Sequence, residues 1–332
     1  MSAQPMPFKI RAFQEALAIV SDFNTLKQVF CELGGWTEIQ RGLVSPSLLA
    51  AWQLPTDTVA AECLLANPGI DSGYLRLLRF ENLPQSVMRA NDQSWETGGT
   101  FDFNVRLASM QQLQPLLSKL GWRGVSDPVE FILGESRVIE WIAVCQQHLR
   151  FAFIERVSPA LTGWTHMQPL SQIFNSSQIV RDLTASLHFY QQVLGFQCIV
   201  RSGNLTAAPG PNVLGLPYQR AHTEPYELVI LQPDGEMRGS IELVHFREST
   251  GRHHTNHQPP HLGMLGVRFP VQNITQLAIQ LSRHQILVPV PLTEVELAPY
   301  GRVWLLAAQT PDGAWLEFFE PINALASSTM EL

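Results

Sequence analysis

Charge and cysteine are both scarce in this chain of 332 residues. Charged residues make up only 15%, and acidic ones outnumber basic ones, 29 to 22, for a formal net charge of −7. Without a basic excess there is little counterion release to hold a nucleic-acid backbone, so nucleic acid is excluded as a partner. Low charge together with 45% hydrophobic residues excludes a disordered chain. Cys31, Cys63, Cys145 and Cys198 lie far apart, with no C-x-x-C pair. They read as thiols in a reducing cytosol, not a disulfide frame or zinc site, and a cytoplasmic location is the expectation. No run of about 18 apolar residues is present, so no membrane-spanning helix is expected. The stretch MSAQPMPFKIRAFQEALAIVSD lacks the apolar core and cleavage site of a signal peptide. The P-loop, H-E-x-x-H and G-x-S-x-G patterns are also missing.

What is present is an internal repeat. SDFNTLKQVFCELGGW (21–36) aligns with RDLTASLHFYQQVLGF (181–196) at a constant offset of 160. Asp22 matches Asp182, Gly35 matches Gly195, and Trp36 matches Phe196. Each segment reads as a helix with an Asp N-cap, whose carboxylate accepts from free N–H groups. A glycine then suits the helix end, and an aromatic opens the next strand. GYLRLLRF (73–80) aligns with GSIELVHF (239–246) at an offset of 166, and both read as strands with alternating faces. Weaker matches join FDFNVRL and LSKLGW (101–107, 117–122) to LGVRF and LSRHQI (265–269, 281–286). The chain therefore reads as four units, each a strand, a helix and about three further strands.

With these residues in view, the sequence resembles the vicinal oxygen chelate superfamily: glyoxalases, bleomycin-resistance proteins and extradiol dioxygenases. The most specific match is GRVWLLAAQTPDGAWLEFFEP (301–321), similar to that family's closing hairpin with Pro-Asp-Gly at the turn. The resemblance implies an α+β fold of four βαβββ modules in two tandem glyoxalase/bleomycin-resistance/dioxygenase-like domains. Residues 8–157 would form the first domain, 158–170 a linker, and 171–321 the second, each domain closing its own cup.

Family enzymes hold a divalent metal with residues on the first and last strands of paired modules. Carried onto this chain, those positions fall on Glu15 and Arg76 in the first unit, and on Asp102 and Ala152 in the second. In the third they fall on Asn175 and Glu242, and in the fourth on Met264 or His261, and Glu317. Arginine cannot ligate a metal, so no metal is expected in the N-terminal half. There Glu15, Arg76 and Asp102 would line a pocket, or Glu15 and Arg76 would form a buried ion pair. In the C-terminal half Glu242 and Glu317 are the candidate catalytic residues, with Asn175 lining the pocket. They are also the candidate ligands of one divalent ion, with His261 third. Without metal, either glutamate could be paired with arginine, or carry a raised pKa and serve as a general base. The cluster His253, His254, His257 and His261 reads as a solvated loop between Gly251 and Pro259-Pro260.

The resemblance implies a small-molecule enzyme, either a glyoxalase-like lyase or isomerase or an extradiol-dioxygenase-like oxidoreductase. The alternative it implies is a non-catalytic binding protein of the bleomycin-resistance type. The expected partner is an apolar or aromatic small molecule, with a homodimer as the expected assembly and no membrane contact.

Overall fold

A computed structural model describes residues 6–90, 93–164, 166–206, 211–235, 237–248 and 251–322. The first unit contains β1 (Lys9–Ile10), β2 (Glu15–Ile19), α1 (Asn24–Lys27), β3 (Thr37–Leu43), α2 (Pro46–Ala51), β4 (Ala60–Ala66) and β5 (Tyr74–Phe80). The second contains β6 (Asp102–Leu107), α3 (Met110–Lys119), β7 (Arg123–Gly124), β8 (Val129–Leu133), β9 (Ser136–Val144) and β10 (Arg150–Ser158). The third contains β11 (Leu170–Ile179), α4 (Leu183–Leu187), β12 (Gln197–Arg201), α5 (Tyr218–Thr223), β13 (Tyr226–Gln232) and β14 (Ser240–Phe246). The fourth contains β15 (Gly263–Gln272), α6 (Ile274–Arg283), β16 (Val290–Leu297), β17 (Gly301–Gln309) and β18 (Trp315–Pro321).

The repeat is visible in the backbone. Both α1 and α4 run on into a π-helical turn, Gln28–Leu33 and His188–Val193. Asp182 caps α4 by accepting from the Ala185 amide at 3.0 Å, and Asp22 accepts from the Thr25 amide at 3.0 Å.

The sheets pair the units differently from the sequence expectation. One nine-stranded sheet runs β16-β17-β18-β15-β2-β5-β4-β3, with β1 beside β15. The other runs β12-β13-β14-β11-β6-β10-β9-β7, with β8 beside β9. The first unit thus shares a sheet with the fourth, and the second with the third. The expectation that each half closes its own cup is corrected. Its physical reason lies in the first strands, which are free to pair outside their own half: β2 runs antiparallel to β15, and β6 to β11. Within each half the connection is made by aromatic packing: Phe30 meets Phe151 at 5.1 Å, and Phe196 meets Phe269 at 5.7 Å. These rings belong to one apolar core that takes residues from all four units. Each sheet draws all of its strands from this one chain.

Strand alternation sorts the residues between core and cup. On β6, Phe103 and Val105 enter the core while Asp102, Asn104 and Arg106 take the other face. On β18, Phe318 and Leu316 enter the core, and Glu317 and Phe319 face the other way.

Candidate functional site

In the first cup, register sets Glu15 opposite Arg268 and Arg268 beside Glu317. Arg76 lies beside Leu17, two residues along β2 from Glu15. All four charged side chains are fully buried. Arg76 donates from Nε to Glu15 Oε2 (2.7 Å), from Nη2 to Glu15 Oε1 (2.6 Å) and from Nη1 to Glu62 Oε2 (2.6 Å). Arg268 donates from Nε to Glu317 Oε2 (2.7 Å) and from Nη1 to Glu15. Tyr300 Oη donates to Glu15 (2.8 Å), while Trp52 Nε1 (2.8 Å) and Trp315 Nε1 (3.0 Å) donate to Glu317. Burial pushes the Glu15 carboxyl up, but Arg76 and Arg268 outweigh it and hold the group down at about 2. This cup is filled by its own paired charges.

The second cup has equivalent positions. Asn175 lies opposite Asn104, Asn104 beside Ala152, and Glu242 beside Ser177, two residues along β11 from Asn175. By register, Asn175, Glu242, Asn104 and Ala152 therefore stand where Glu15, Arg76, Arg268 and Glu317 stand in the first cup. Asn104 Nδ2 donates to Asn175 Oδ1 and Ser177 Oγ, each at 2.9 Å, and Asn175 Nδ2 donates to Ser240 Oγ at 2.8 Å. Ser177 lies near enough to the carboxyls of Asp102 and Glu242 to pull both down. Asp102 is buried, whereas Glu242 and Glu140 are only half-buried.

Three carboxyls, Asp102, Glu140 and Glu242, lie within electrostatic reach of one another. Burial raises Asp102 to about 6 against the pull of Ser177 and Arg150. Burial and the neighbouring Asp102 raise Glu242 to about 8, and burial with Glu242 and Asp102 raises Glu140. Tyr226 is pushed to about 12 by burial and then by Glu140 and Glu242. An apolar cluster that includes Phe101, Ile142, Leu216, Ala221, Val244 and Phe246 borders this cup. It draws Leu216 and Ala221 from the long β12–β13 connection.

The structure separates residues that the sequence reading grouped. Glu242 and Glu317 lie on different sheets, so they cannot share one ion or one cup; the register of β15, not chain order, gives Glu317 its neighbours. The pocket residues also divide, Glu15 and Arg76 to the first cup and Asp102 and Asn175 to the second. His261 is half-buried beside Ser86, its Nδ1 3.2 Å from Ser86 Oγ, so it is placed outside both cups. The fourth unit's first-strand position is Arg268, not Met264 or His261, because the strand extends four residues past Met264 before it faces Glu15. The histidine cluster is not a solvated loop: His254 is buried and reaches Glu96 at 2.8 Å, and His257 is 1% exposed. Alternation alone could have flagged Arg268, the lone charge in LGVRF, and Glu140, set among apolar residues in VIEWIAV. Glu62 in AAECLLA carries the same signal, whereas Trp52 and Tyr300 carry none.

Neither cup fits a divalent ion. In the first, two guanidiniums occupy ligand positions and consume the carboxylates. In the second, Asn104, Ala152 and Asn175 leave Glu242 as the one strong ligand at those positions. Among the described residues, no group of three or more His, Cys, Asp or Glu is placed to hold a metal.

The Glyoxalase/Bleomycin resistance protein/Dioxygenase superfamily profile matches residues 166–318. Comparison with curated proteins gave no match. Among solved structures, glyoxalase I from Zea mays is 12% identical with a TM-score of 0.62, covering 95% of this chain and 93% of that one. A putative dioxygenase from Bacillus subtilis subsp. subtilis str. 168 is 12% identical with a TM-score of 0.58, covering 96% of this chain and 88% of that one. At these identities the likeness is one of fold, and it spans all four units. Residues 166–318 belong to the glyoxalase, bleomycin-resistance and dioxygenase superfamily, and the whole chain has its fold.

Proposed function

We propose that this chain is a small-molecule enzyme that works from the second cup by proton transfer between carboxyls. Asp102 serves as base and Glu242 as acid, and the Asp102 carboxyl helps burial to raise Glu242. What supports this reading is the closeness of Asp102 and Glu242, both beside Ser177, with burial placing them at about 6 and about 8, on either side of neutrality. At neutral pH one member is ionised while its neighbour keeps a proton, as acid–base chemistry requires. A substrate suited to the pair has an acidic C–H beside a carbonyl and an apolar body to lie against Phe101 and Val244. In this reading Glu317 has a structural part, because Arg268, Trp52 and Trp315 occupy its carboxylate.

The test uses hydroxyacetone in deuterated water, following loss of its α-proton signal by NMR. The wild-type protein is expected to exchange the proton faster than Asp102→Asn by about 10²–10⁴, the usual worth of a positioned base. Exchange by wild type no faster than by the variant would contradict the proposal. The apolar border of the cup favours a second reading, non-catalytic sequestration of an apolar or aromatic ligand. That reading expects binding that survives Asp102→Asn and no exchange.

No helix among the described residues is long and apolar enough to cross a membrane.

A further inference from the structure

The linkers between units are the part of the molecule that the cups leave unexplained. The stretch after β5 (residues 88–90 and 93–101) meets the stretch before β15 (residues 253–257) at the seam between the halves. Thr97 and His253 form a β-bridge, and the His254 amide donates to the Thr97 carbonyl at 2.9 Å. Beside this crossing lies a cavity of about 350 Å³, with the β9–β10 turn as its far wall. Its lining includes Arg89, Arg123, Arg150, His148 and His257.

We propose that this cavity binds a small oxyanion that also carries a hydroxyl, as inorganic phosphate and short hydroxycarboxylates do. The cationic wall is built, not incidental. The guanidinium carbons of Arg150 and Arg89 lie 4.4 and 5.1 Å from the centroid of the Phe101 ring. Arg89 is held by donation to the Gly98, Gln93 and Glu96 carbonyls, and Arg150 by donation to the Phe101 carbonyl. Arg123, on the short β7, is exposed at the rim.

His257 selects the hydroxyl. It is 1% exposed, and neither ring nitrogen has a hydrogen-bond partner among the described residues. The His254 carbonyl is near enough to favour a ring proton, but it makes no well-formed hydrogen bond. Its ring lies so close to Gly99 that a Cβ there would come within 2.0 Å of Nδ1, so only glycine leaves it room. Burial, then Arg89 and the neighbouring histidines, push its pKa down to about 3, which leaves the imidazole neutral. A neutral imidazole offers one N–H donor and one lone pair. Leaving both unmet in a buried place is costly. An anionic oxygen satisfies the donor and the arginines, and an O–H satisfies the lone pair. Sulfate and acetate offer the first and lack the second. The cavity is near the small end of ligand pockets, which fits an anion of this size and not a nucleotide.

The site stands apart from the catalytic reading but touches it, since Arg150 and Arg89 both help to hold Asp102 ionised. A bound anion would relax that pull.

The experiment is calorimetric titration near neutral pH with phosphate, glycolate, sulfate and acetate, together with NMR of the His257 imidazole. The expected result is saturable single-site binding of phosphate and glycolate, each tighter than sulfate or acetate by about tenfold, and a shift of the His257 ring signals. Arg123→Glu, at an exposed position, should weaken phosphate binding by about tenfold or more without changing the melting temperature. Absence of saturable phosphate binding would overturn the proposal, as would binding that leaves the His257 signals unmoved. Equal affinity for phosphate and sulfate would overturn the hydroxyl requirement. If Arg123→Glu lowers the melting temperature, the wild-type NMR titration decides alone. None of these outcomes depends on activity.

Discussion

In the first cup, Glu15, Arg76, Arg268 and Glu317 take the positions that Asn175, Glu242, Asn104 and Ala152 take in the second. The backbone frame is the same, yet the electrostatics are opposite. The first cup meets each buried carboxylate with a guanidinium and closes over the result with Trp52, Trp315 and Tyr300. In the second, burial outweighs the pull of Arg150 and Arg89 on Asp102 and of Arg106 on Glu140, so the carboxyl pKa values rise, and Glu242 and Glu140 stay partly accessible. Pairing makes a plug, and withholding the partner makes a site. One cup thereby anchors the ends of the chain's fold, β2 against β15, and the other is left to do chemistry.

The largest way to break this contrast is Arg268→Met. It would leave Glu317 without a guanidinium in a buried cup and Glu15 with Arg76 alone, and urea unfolding should show a loss of about 3–5 kcal/mol, the cost of removing one partner of a buried pair. The methionine fills the volume, so a loss under about 1 kcal/mol would mean that the network is not holding the sheet. A smaller effect is expected from Trp52→Phe, which removes the indole donor to Glu317 and keeps an aromatic plug. Its loss should be about 1–3 kcal/mol, read in the same assay.

The smallest effect has the opposite sign. Glu242 is raised from its ordinary value of 4.5 to about 8, so the folded state binds its proton more tightly than the unfolded state does. The stability this contributes is full below the ordinary value and is lost as pH rises through about 8. Glu242→Gln removes that loss. Melting curves should show the variant more stable than wild type by about 1 kcal/mol above neutral pH, after screening at a half-buried group, and equal to it in acid. Glu15 behaves in reverse. Its carboxyl is depressed from 4.5 to about 2, so its contribution is present above the ordinary value and disappears as pH falls through about 2.

The repeat, the strand and helix order and the family likeness were all legible in the chain, because Asp caps, Gly-aromatic exits and alternating strands are local signals. The two equivalent helices are marked by Asp22 and Asp182 at their starts and by Gly35-Trp36 and Gly195-Phe196 at their ends. Strand pairing was not legible. Nothing near Glu15 states that its neighbour across the sheet is Arg268, more than 250 residues away in sequence. Counting positions unit by unit found Glu15, Arg76, Glu242 and Glu317 in their strands, but could not assign them to cups. For Asp102 the count was two residues from Asn104, the true equivalent, yet it named a carboxyl that the cup does present. His254 and His257 misled because the linker's polar composition suggests solvent, whereas a second linker covers it.

The most direct measurement is a carbon-detected NMR titration of the side-chain carboxyls of Asp102, Glu242 and Glu15 in the intact protein. The account predicts Asp102 and Glu242 titrating as a coupled pair at about 6 and about 8, while Glu15 stays ionised down to about 2. Midpoints for Asp102 and Glu242 at their ordinary values, 3.8 and 4.5, would contradict it, because the second cup would then be no different from open solvent.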